Sequence, residues 1–411
     1  MLRLVVIMVA ISMSLNGQTF FKEYDTYFGY GDIIVDRNNN SLVVGQNNYC
    51  KVDSNGNTIW AREFYWSDNP SRFTSVIDLK DGTYLLAAQL DVQLNTVPGN
   101  DLHLIRIDST GKKIWAKHFG YVGGFEFVTD MAFTPDSCVL VYGYFTTSLF
   151  NTGTGLMILY KITKDGNIVW EKKYGYNRYY TNDIVLDDDG NSFLCAQFGD
   201  SVIVTKIDTV GNLIWSRNYY AVNCHGSLRM DVLTDHSVCL SWEDGVCMAL
   251  MKVNSDGYYE WTELLTIPGF QYSNDMDCHN EHIYLLVRRY NPITQEVIEL
   301  DSNGMFVCGT KYSNAVITNG DGIFISEHSS VVAGRSPTNS LVILSLDSAL
   351  QESCYSSTLT CTIQPIWMDT LVQDMNQYPQ NITVVDDTAN TNPILFNVVN
   401  SCTGVAVAEM L

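Results

Sequence analysis

The chain has 411 residues, a formal net charge of −21, and a composition that is 46% hydrophobic, 17% charged and 12% aromatic. This mixture is typical of a globular protein and excludes a disordered or fibrous chain. The excess of 45 acidic over 24 basic residues argues against a nucleic-acid partner, because binding to phosphates needs basic patches.

The first 18 residues have the pattern of a secretory signal peptide. Arg3 is followed by the apolar run 4–11 and then by small and polar residues up to Gln18. The apolar run is shorter than the about 20 residues that cross a bilayer, and no later stretch reaches that length. We therefore expect residues 1–18 to be removed, and the mature chain to be secreted or held at the cell surface without a membrane span.

One sequence phrase recurs along most of the chain. It consists of Lys or Arg, an apolar residue, a polar turn that contains Gly, and Trp. The clear copies are residues 51–60, 106–115, 161–170, 206–215 and 252–261. Their Trp residues lie 55, 55, 45 and 46 positions apart, and two weaker copies place Cys308 and Cys354 at the Trp position. Seven copies at this spacing are typical of a β-propeller.

Each copy predicts a β-hairpin, because alternating apolar residues flank a turn whose Gly supplies positive φ. A further pair of strands is predicted before each phrase. These pairs begin near Ile33, Val76, Met131, Ile184, Met230, Met276 and Ile323. We therefore predict an all-β fold: a seven-bladed propeller of four-stranded antiparallel blades over residues 19–355. Residues 356–411 are expected to form a C-terminal extension, partly β or irregular. A β-sandwich is the disfavoured alternative, since it has no whole-chain period near 46.

The segment after the signal peptide repeats the second half of the phrase. Phe20, Lys22 and Tyr24 stand at the Trp, basic and aromatic positions. The prediction is that this segment adds a strand to the last blade and closes the ring. Period two places the Trp, basic and aromatic residues on one face of their strand. We expect the Trp residues to pack between blades; the alternative is an aromatic platform for a ligand. The best-matched of these residues, which should be buried, are Trp115, Trp170 and Trp215.

Acidic residues stand at the start of the first strand in most blades. They are Asp32, Asp130, Asp183, Asp275 and Asp321, with Asp231 displaced by one place. The first strand of a propeller blade lies nearest the axis, so these side chains are candidates for an axial ring. Each Asp either accepts a local backbone N–H bond or joins the others in holding Ca²⁺ or a cationic ligand. No other cofactor is predicted.

Other candidate sites have simpler interpretations. The run 187–189 is similar to a calcium loop but lacks the closing Glu, so turn chemistry is favoured. Cys278, His279 and His282 form a local cluster for zinc, although strand and turn placement disfavours a metal site. The eleven cysteines leave at least one thiol unpaired, and Cys239 is interpreted as a small buried residue. No nucleophile elbow or phosphate-binding loop is present in the sequence, and no catalytic residue is assigned.

The phrase, for example KIDTVGNLIWSRNY from Lys206, resembles the repeats of secreted β-propeller proteins of Bacteroidetes-type bacteria. That resemblance implies export associated with the type IX route, although residues 356–411 do not show a recognisable sorting domain. We expect a non-enzymatic, monomeric scaffold: a secreted or cell-surface propeller that binds a protein or glycan. The alternative is a propeller enzyme, either a glycan hydrolase or lyase or a quinoprotein, with its site at the axial channel mouth.

Overall fold

A computed structural model describes the backbone of most of the chain after the first 18 residues. The described residues are 19–27, 31–65, 71–90, 102–120, 125–146, 155–174, 180–220, 225–244, 247–266, 271–290, 293–313, 317, 319–326, 330–346, 350, 356–358, 362–365, 369–372, 377–378, 383–386, 390–393 and 398–403. The predicted signal peptide, residues 1–18, lies outside them.

The described strands fall into seven groups. The first strand in the chain is β1 (Phe20–Tyr27). Blade 1 contains β2 (Asp32–Val35), β3 (Ser41–Val44), β4 (Asn48–Val52) and β5 (Thr58–Tyr65). Blade 2 contains β6 (Ser71–Asp78), β7 (Tyr84–Leu90), β8 (Leu102–Ile107) and β9 (Lys113–Gly120). Blade 3 contains β10 (Phe125–Phe133), β11 (Cys138–Thr146), β12 (Gly155–Thr163) and β13 (Ile168–Tyr174).

The remaining blades follow in the same order. Blade 4 contains β14 (Tyr180–Leu186), β15 (Ser192–Phe198), β16 (Ser201–Ile207) and β17 (Leu213–Tyr220). Blade 5 contains β18 (His225–Val232), β19 (Val238–Asp244), β20 (Cys247–Val253) and β21 (Tyr259–Thr266). Blade 6 contains β22 (Gln271–His279), β23 (His282–Tyr290), β24 (Ile293–Asp301) and β25 (Phe306–Ser313). Blade 7 contains β26 (Asn319–Ile325), β27 (Ser330–Arg335), β28 (Ser340–Leu346) and, as its fourth strand, β1.

Each blade is an antiparallel meander, and its first strand contacts the first strand of the next blade. The contact between β26 and β2 completes this inner circle. The protein is therefore a seven-bladed β-propeller, as the repeat predicts, with the first strands nearest the axis. Seven apolar clusters lie between successive blades and form the core.

The N-terminal strand closes the ring in the predicted way. β1 pairs antiparallel with β28, with Phe20 opposite Ser345 and Tyr24 opposite Leu341. Phe20 lies against the turn between the third and fourth strands of blade 1, where a Cβ added to Gly56 would approach its ring to 2.7 Å. Tyr24 donates its hydroxyl hydrogen to the Gly56 carbonyl oxygen at 2.6 Å. The prediction of closure by the N-terminal segment is confirmed.

The turn between the third and fourth strands is fixed by its own residues. In blade 1, Asp53 Oδ1 accepts the N–H groups of Asn55 and Asn57 at 2.9 and 2.7 Å. Gly56 has a φ of 73° and donates its N–H to the Asp53 carbonyl oxygen at 2.9 Å. Because only Gly adopts this conformation without strain, the recurring Asp and Gly of the phrase set the hairpin.

The Trp and the basic residue in the second half of the phrase hydrogen-bond to the turn of the next blade. In blade 2, the Trp115 indole N–H donates to the Lys164 carbonyl oxygen at 3.0 Å, and Lys117 Nζ donates to the Asp165 carbonyl oxygen at 2.8 Å. Trp215 is buried, whereas Trp115 and Trp170 are partly exposed at the outer edge of their blades. The Trp residues therefore pack between blades, as predicted, but of these three only Trp215 is buried.

The C-terminal extension adds a fifth strand to every blade. Its strands are β29 (Ser356–Thr358), β30 (Thr362–Pro365), β31 (Asp369–Val372), β32 (Gln377–Tyr378), β33 (Thr383–Asp386), β34 (Asn390–Pro393) and β35 (Val398–Thr403). They pair antiparallel with the fourth strands of blades 6, 5, 4, 3, 2, 1 and 7 in turn. We call these seven strands the belt. The belt runs round the propeller against the blade order and pairs with the outer edge of each blade, an edge that is otherwise open to other chains.

Candidate functional site

One position recurs in the inner strand of all seven blades. In blades 2 to 7 it lies at or next to an irregularity in strand register, and in every blade it directly precedes an apolar residue. Bulges of this kind turn a side chain away from the regular alternation. We call the residues at this position the axial ring: Asp32, Ser75, Asp130, Asp183, Arg229, Asp275 and Gly322.

The aspartates of the axial ring join adjacent blades. Asp183 Oδ2 accepts the backbone N–H of Met230 in blade 5 at 2.8 Å. Asp275 Oδ2 accepts the N–H of Ile323 in blade 7 at 2.9 Å. Equivalent bonds link Asp32 to Val76 at 2.9 Å and Asp130 to Ile184 at 3.1 Å. These bonds correspond to one of the two interpretations of the aspartates, acceptance of a backbone N–H, but they reach from one blade to the next.

Asp32 and Asp130 use their second oxygen within their own strand. Asp32 Oδ1 accepts the N–H of Ile33 at 2.7 Å, and Asp130 Oδ1 accepts the N–H of Met131, also at 2.7 Å. A carboxylate offers about four lone-pair directions over its two oxygens. Both oxygens of these two residues are therefore engaged by backbone N–H groups.

The other ring residues also contact the next blade. Ser75 Oγ donates to Asp130 Oδ1 at 3.1 Å. Arg229 Nε donates to the Asn274 carbonyl oxygen at 2.6 Å, and its Nη1 lies 3.2 Å from Asp183 Oδ1. Arg229 is thus a positive charge set among the axial carboxylates.

Gly322 completes the ring where blade 7 meets blade 1. A Cβ at this position would lie 2.7 Å from Ile33 Cγ2 and 3.5 Å from Asp275 Oδ2. The close approach of Ile33 accounts for the absence of a side chain at this position of the ring.

Burial and mutual repulsion shift the titration of the axial carboxyls. Burial raises the pKa of Asp32 to about 6 and that of Asp275 to about 7, and Arg229 acts in the opposite direction on both. The pKa of Asp130 lies well above its usual value, because it is buried and faces the charge of Asp183. The Asp183 and Arg229 side chains are 15% and 29% exposed, so solvent reaches this level of the axis.

A second acidic pair lies two residues further along the inner strands of blades 5 and 6. Asp231 Oδ2 accepts the N–H of Cys278 at 2.6 Å, and Asp277 Oδ2 accepts the N–H of Ile325 at 2.6 Å. The Asp231 and Asp277 carboxyl groups also hydrogen-bond to each other. Burial raises the pKa of Asp231 to about 6, and burial with the Asp231 charge raises that of Asp277 well above its usual value. One carboxyl of this pair therefore holds a proton near neutral pH.

The structure places the predicted aspartates at two levels. Asp32, Asp130, Asp183 and Asp275 belong to the axial ring. Asp231 lies beyond the ring, because Arg229 occupies the equivalent position in blade 5.

Asp321 falls at the register shift of β26, and Gly322 occupies its blade's ring position. The Asp321 side chain lies outside the described residues.

The residues that sequence reasoning missed are Ser75, Arg229, Asp277 and Gly322. Three of them directly precede the apolar residue that opens each predicted strand pair, so aligning on that apolar residue instead of on Asp identifies them. Asp277 carries no such signal.

The run 187–189 behaves as a turn. Asp187 Oδ1 accepts the N–H of Asn191 at 2.8 Å, and Asp187 Oδ2 lies 3.1 Å from Lys206 Nζ. Among the described residues, Asp187, Asp189 and His236 bring three ligand atoms within 4.8 Å of one another. Lys206 already supplies a positive charge to the buried Asp187 carboxylate, which favours the turn interpretation.

Cys278 and His282, which belong to the cluster considered for zinc, have different partners. Cys278 packs against the apolar cluster between blades 5 and 6 that contains Cys239. His282 Nδ1 lies 2.7 Å from Glu299 Oε1 within blade 6.

Within the described part of the chain, no helix has the length and apolar character that crossing a bilayer requires.

Comparisons with known proteins bear on the fold. The chain matches no protein-family model and no curated protein sequence. A chain of the mitotic checkpoint complex is similar, with a TM-score of 0.53 and 11% identity over 84% of this chain and 97% of that one. A protein from Lactobacillus plantarum has a TM-score of 0.46 and 15% identity over 84% of this chain and 100% of its own. Puromycin hydrolase has a TM-score of 0.48 and 11% identity over 76% of this chain and 52% of its own. At these identities the likeness to the first of these structures shows the propeller fold alone.

Proposed function

We propose that the chain is an exported, non-enzymatic propeller that serves as a rigid platform and binds a protein or glycan on one face. The observation that carries this proposal is the use of the axial carboxylates. Asp32, Asp130, Asp183 and Asp275 each accept a backbone N–H from the next blade. Their oxygens therefore join blades, which is the task of a scaffold.

The two faces of the ring differ in a way that supports a binding face. On one face, the turns between third and fourth strands are nearly uniform in length, and in five blades each holds a Gly that the preceding blade's Trp contacts. On the opposite face, connections between second and third strands range from two residues in blades 4, 5 and 6 to 11 in blade 2. Connections that vary in length on a constant frame are where binding proteins place their recognition residues. We call this second face the variable face.

An acidic propeller favours particular partners. The net charge of −21 disfavours anionic surfaces and favours neutral glycans or proteins with a basic patch. Export rests on the signal-like residues 1–18 and on the resemblance to secreted bacterial propeller repeats. N-terminal sequencing of the exported protein tests it, with a mature start at Gln18 or Thr19 expected. Recovery of uncleaved chain from the cytoplasm alone would contradict export.

Binding is tested on a glycan array and on extracellular proteins, with activity measured on the same glycans. A biotin-acceptor peptide is inserted either between Gly199 and Asp200, on the variable face, or between Asp188 and Asp189, on the opposite face. Both turns contain exposed residues that tolerate insertion. Saturation with streptavidin should abolish binding by the first variant and leave that of the second unchanged. Equal loss in both variants, or loss in the second alone, would contradict the assignment of the face.

A second candidate function has its own supporting observation. The Asp231 and Asp277 pair, with one shared proton, is the kind of arrangement that provides a general acid and a base. It favours the alternative of a propeller enzyme that cleaves glycans. Incubation with each bound glycan, followed by mass spectrometry of the products, tests this alternative. Cleavage by the wild type that Asp277→Asn no longer performs would support the enzyme, whereas intact glycans from both proteins would support the platform.

A further inference from the structure

Two thiols meet at the boundary between blades 5 and 6. Cys239 lies on β19 in blade 5, and Cys278 lies on β22, the inner strand of blade 6. The Cys239 thiol is near enough to raise the pKa of Cys278. Both belong to the same apolar cluster between these blades, in which Cys239 is 1% exposed and Cys278 is partly buried. Both are free thiols in the structure.

The backbones of both strands are held together at this point. Asp231 stands opposite Cys239 in the pairing of β18 with β19. The same Asp231 accepts the N–H of Cys278 through its Oδ2 at 2.6 Å. One carboxylate therefore fixes the strand that carries Cys278 beside the strand pair that carries Cys239, and both cysteine side chains pack in the apolar cluster between the blades.

We propose that Cys239 and Cys278 form a disulfide that joins blades 5 and 6 when the chain meets a disulfide oxidant such as oxidised glutathione. The thiolate of one cysteine attacks the oxidant, a mixed disulfide forms, and one glutathione thiolate leaves. The second cysteine thiolate then attacks the protein sulfur of that mixed disulfide and displaces the other glutathione. Two protein S–H bonds are lost, one protein S–S bond forms, and one oxidant disulfide becomes two thiols.

The surroundings determine when the bond forms. The hydrogen bond to Cys239 and burial raise the pKa of Cys278 well above its usual value, and the Asp231 and Asp277 charges act in the same direction. Thiolate is the attacking species, so exchange in the folded protein is slow. The link therefore forms chiefly during folding in an oxidising compartment, before the apolar cluster closes over Cys239.

Peptide mapping of the full mature chain tests the proposal. Reduced, denatured protein is refolded with mixed reduced and oxidised glutathione, and remaining thiols are alkylated. The protein is then digested with proteases that cleave after Lys, Arg and Glu. Cleavage after Glu243 separates Cys239 from Cys247, so the partner of Cys278 is identified without ambiguity. The expected result is a linked peptide pair that contains Cys239 and Cys278. Alkylated Cys278 in the refolded protein, or its link to another cysteine, would overturn the proposal.

The thermal midpoint distinguishes a disulfide from two thiols that only pack together. Oxidised wild type should have a thermal midpoint a few degrees above that of the reduced protein, because the link closes a loop in the unfolded chain. Cys239→Ser and Cys278→Ser should each remove this difference. Cys50→Ser, a matched buried cysteine in blade 1, should keep it. The same oxidation-dependent rise in Cys239→Ser would assign the effect to another cysteine pair and contradict the proposal.

Discussion

The indole N–H of Trp215 donates to the Ser255 carbonyl oxygen at 2.9 Å, so the outer strand of blade 4 is bonded to the turn of blade 5. A Cβ on Gly257 of that turn would lie 3.0 Å from the Trp215 ring. The same bond recurs from Trp60 to Ser109, from Trp115 to Lys164 and from Trp261 to Ser302. The repeated phrase therefore joins neighbouring blades, because the Trp of one copy bonds to the turn of the next.

Trp215→Ala should lower the free energy of unfolding by about 3 to 5 kcal/mol, as for other large truncations in a packed interior. Trp215→Phe should cost less, because it keeps a ring against Gly257 and loses the bond to Ser255, a contribution of about 1 kcal/mol. Urea unfolding of both variants measures the difference. Wild-type stability in Trp215→Ala, with loss of ligand binding alone, would identify Trp215 as a ligand contact instead.

The axial carboxyls should make the protein less stable as the pH rises from about 4 to about 7. Asp275 titrates near 4 in the unfolded chain and at about 7 in the folded one, so the folded state binds more protons in this window. Stability from this group is fully present below the unfolded pKa and is lost by pH 7. Asp275→Asn should flatten the profile of thermal midpoint against pH between 5 and 7.5. An unchanged profile would show that the Asp275 carboxyl does not titrate in this window.

Arg229 is a counter-charge among the axial carboxylates, a role that one of the two sequence interpretations gives to Ca²⁺ or a cationic ligand. It contacts Asp183 and acts electrostatically on Asp130 and Asp275. Millimolar Ca²⁺ should therefore leave the thermal midpoint of the wild type unchanged relative to chelator. Arg229→Gln leaves the carboxylates without this charge, and Ca²⁺ should then raise its midpoint. A calcium-dependent rise in the wild type that is absent from an Asp130→Asn, Asp183→Asn double variant would instead establish the calcium ring.

The belt should protect the outer strands from solvent exchange. In blade 2, Val384 and Val385 of β33 stand opposite Phe119 and His118 of β9. N–H groups of adjacent strand residues point to opposite sides, so replacing both valines by Pro removes the one backbone donor of the two that faces β9. Hydrogen exchange of the β9 amides should then be at least about tenfold faster, while β8 remains protected. Thr388→Pro, in the connection between β33 and β34, is the control. Equal exchange in wild type and double variant would show that β33 does not pair with β9.

The sequence predicts those parts of the fold that depend on recurring side chains. The recurring Trp and Gly set the blade count, and Phe20, Lys22 and Tyr24 reveal closure, because these residues pack at repeated positions. The belt leaves no such signal, since its strands of two to six residues attach through backbone groups that all residues share. The axial ring was predicted only in part, because the shift in register moves the ring position away from a simple series of Asp.

The axial aspartates join blades, and substitution of Asp275 is the most direct test of this role. At pH 5 the Asp275 carboxyl is protonated in the folded protein, so replacing it does not relieve a buried charge. Asp275→Asn retains an oxygen that accepts the Ile323 N–H, whereas Asp275→Ala leaves that N–H without this acceptor. The measurement is the free energy of unfolding of both variants at pH 5. Asp275→Ala should be less stable than Asp275→Asn by about 1 to 3 kcal/mol, because the Ile323 N–H loses its acceptor. Equal stability of the two variants would contradict this role.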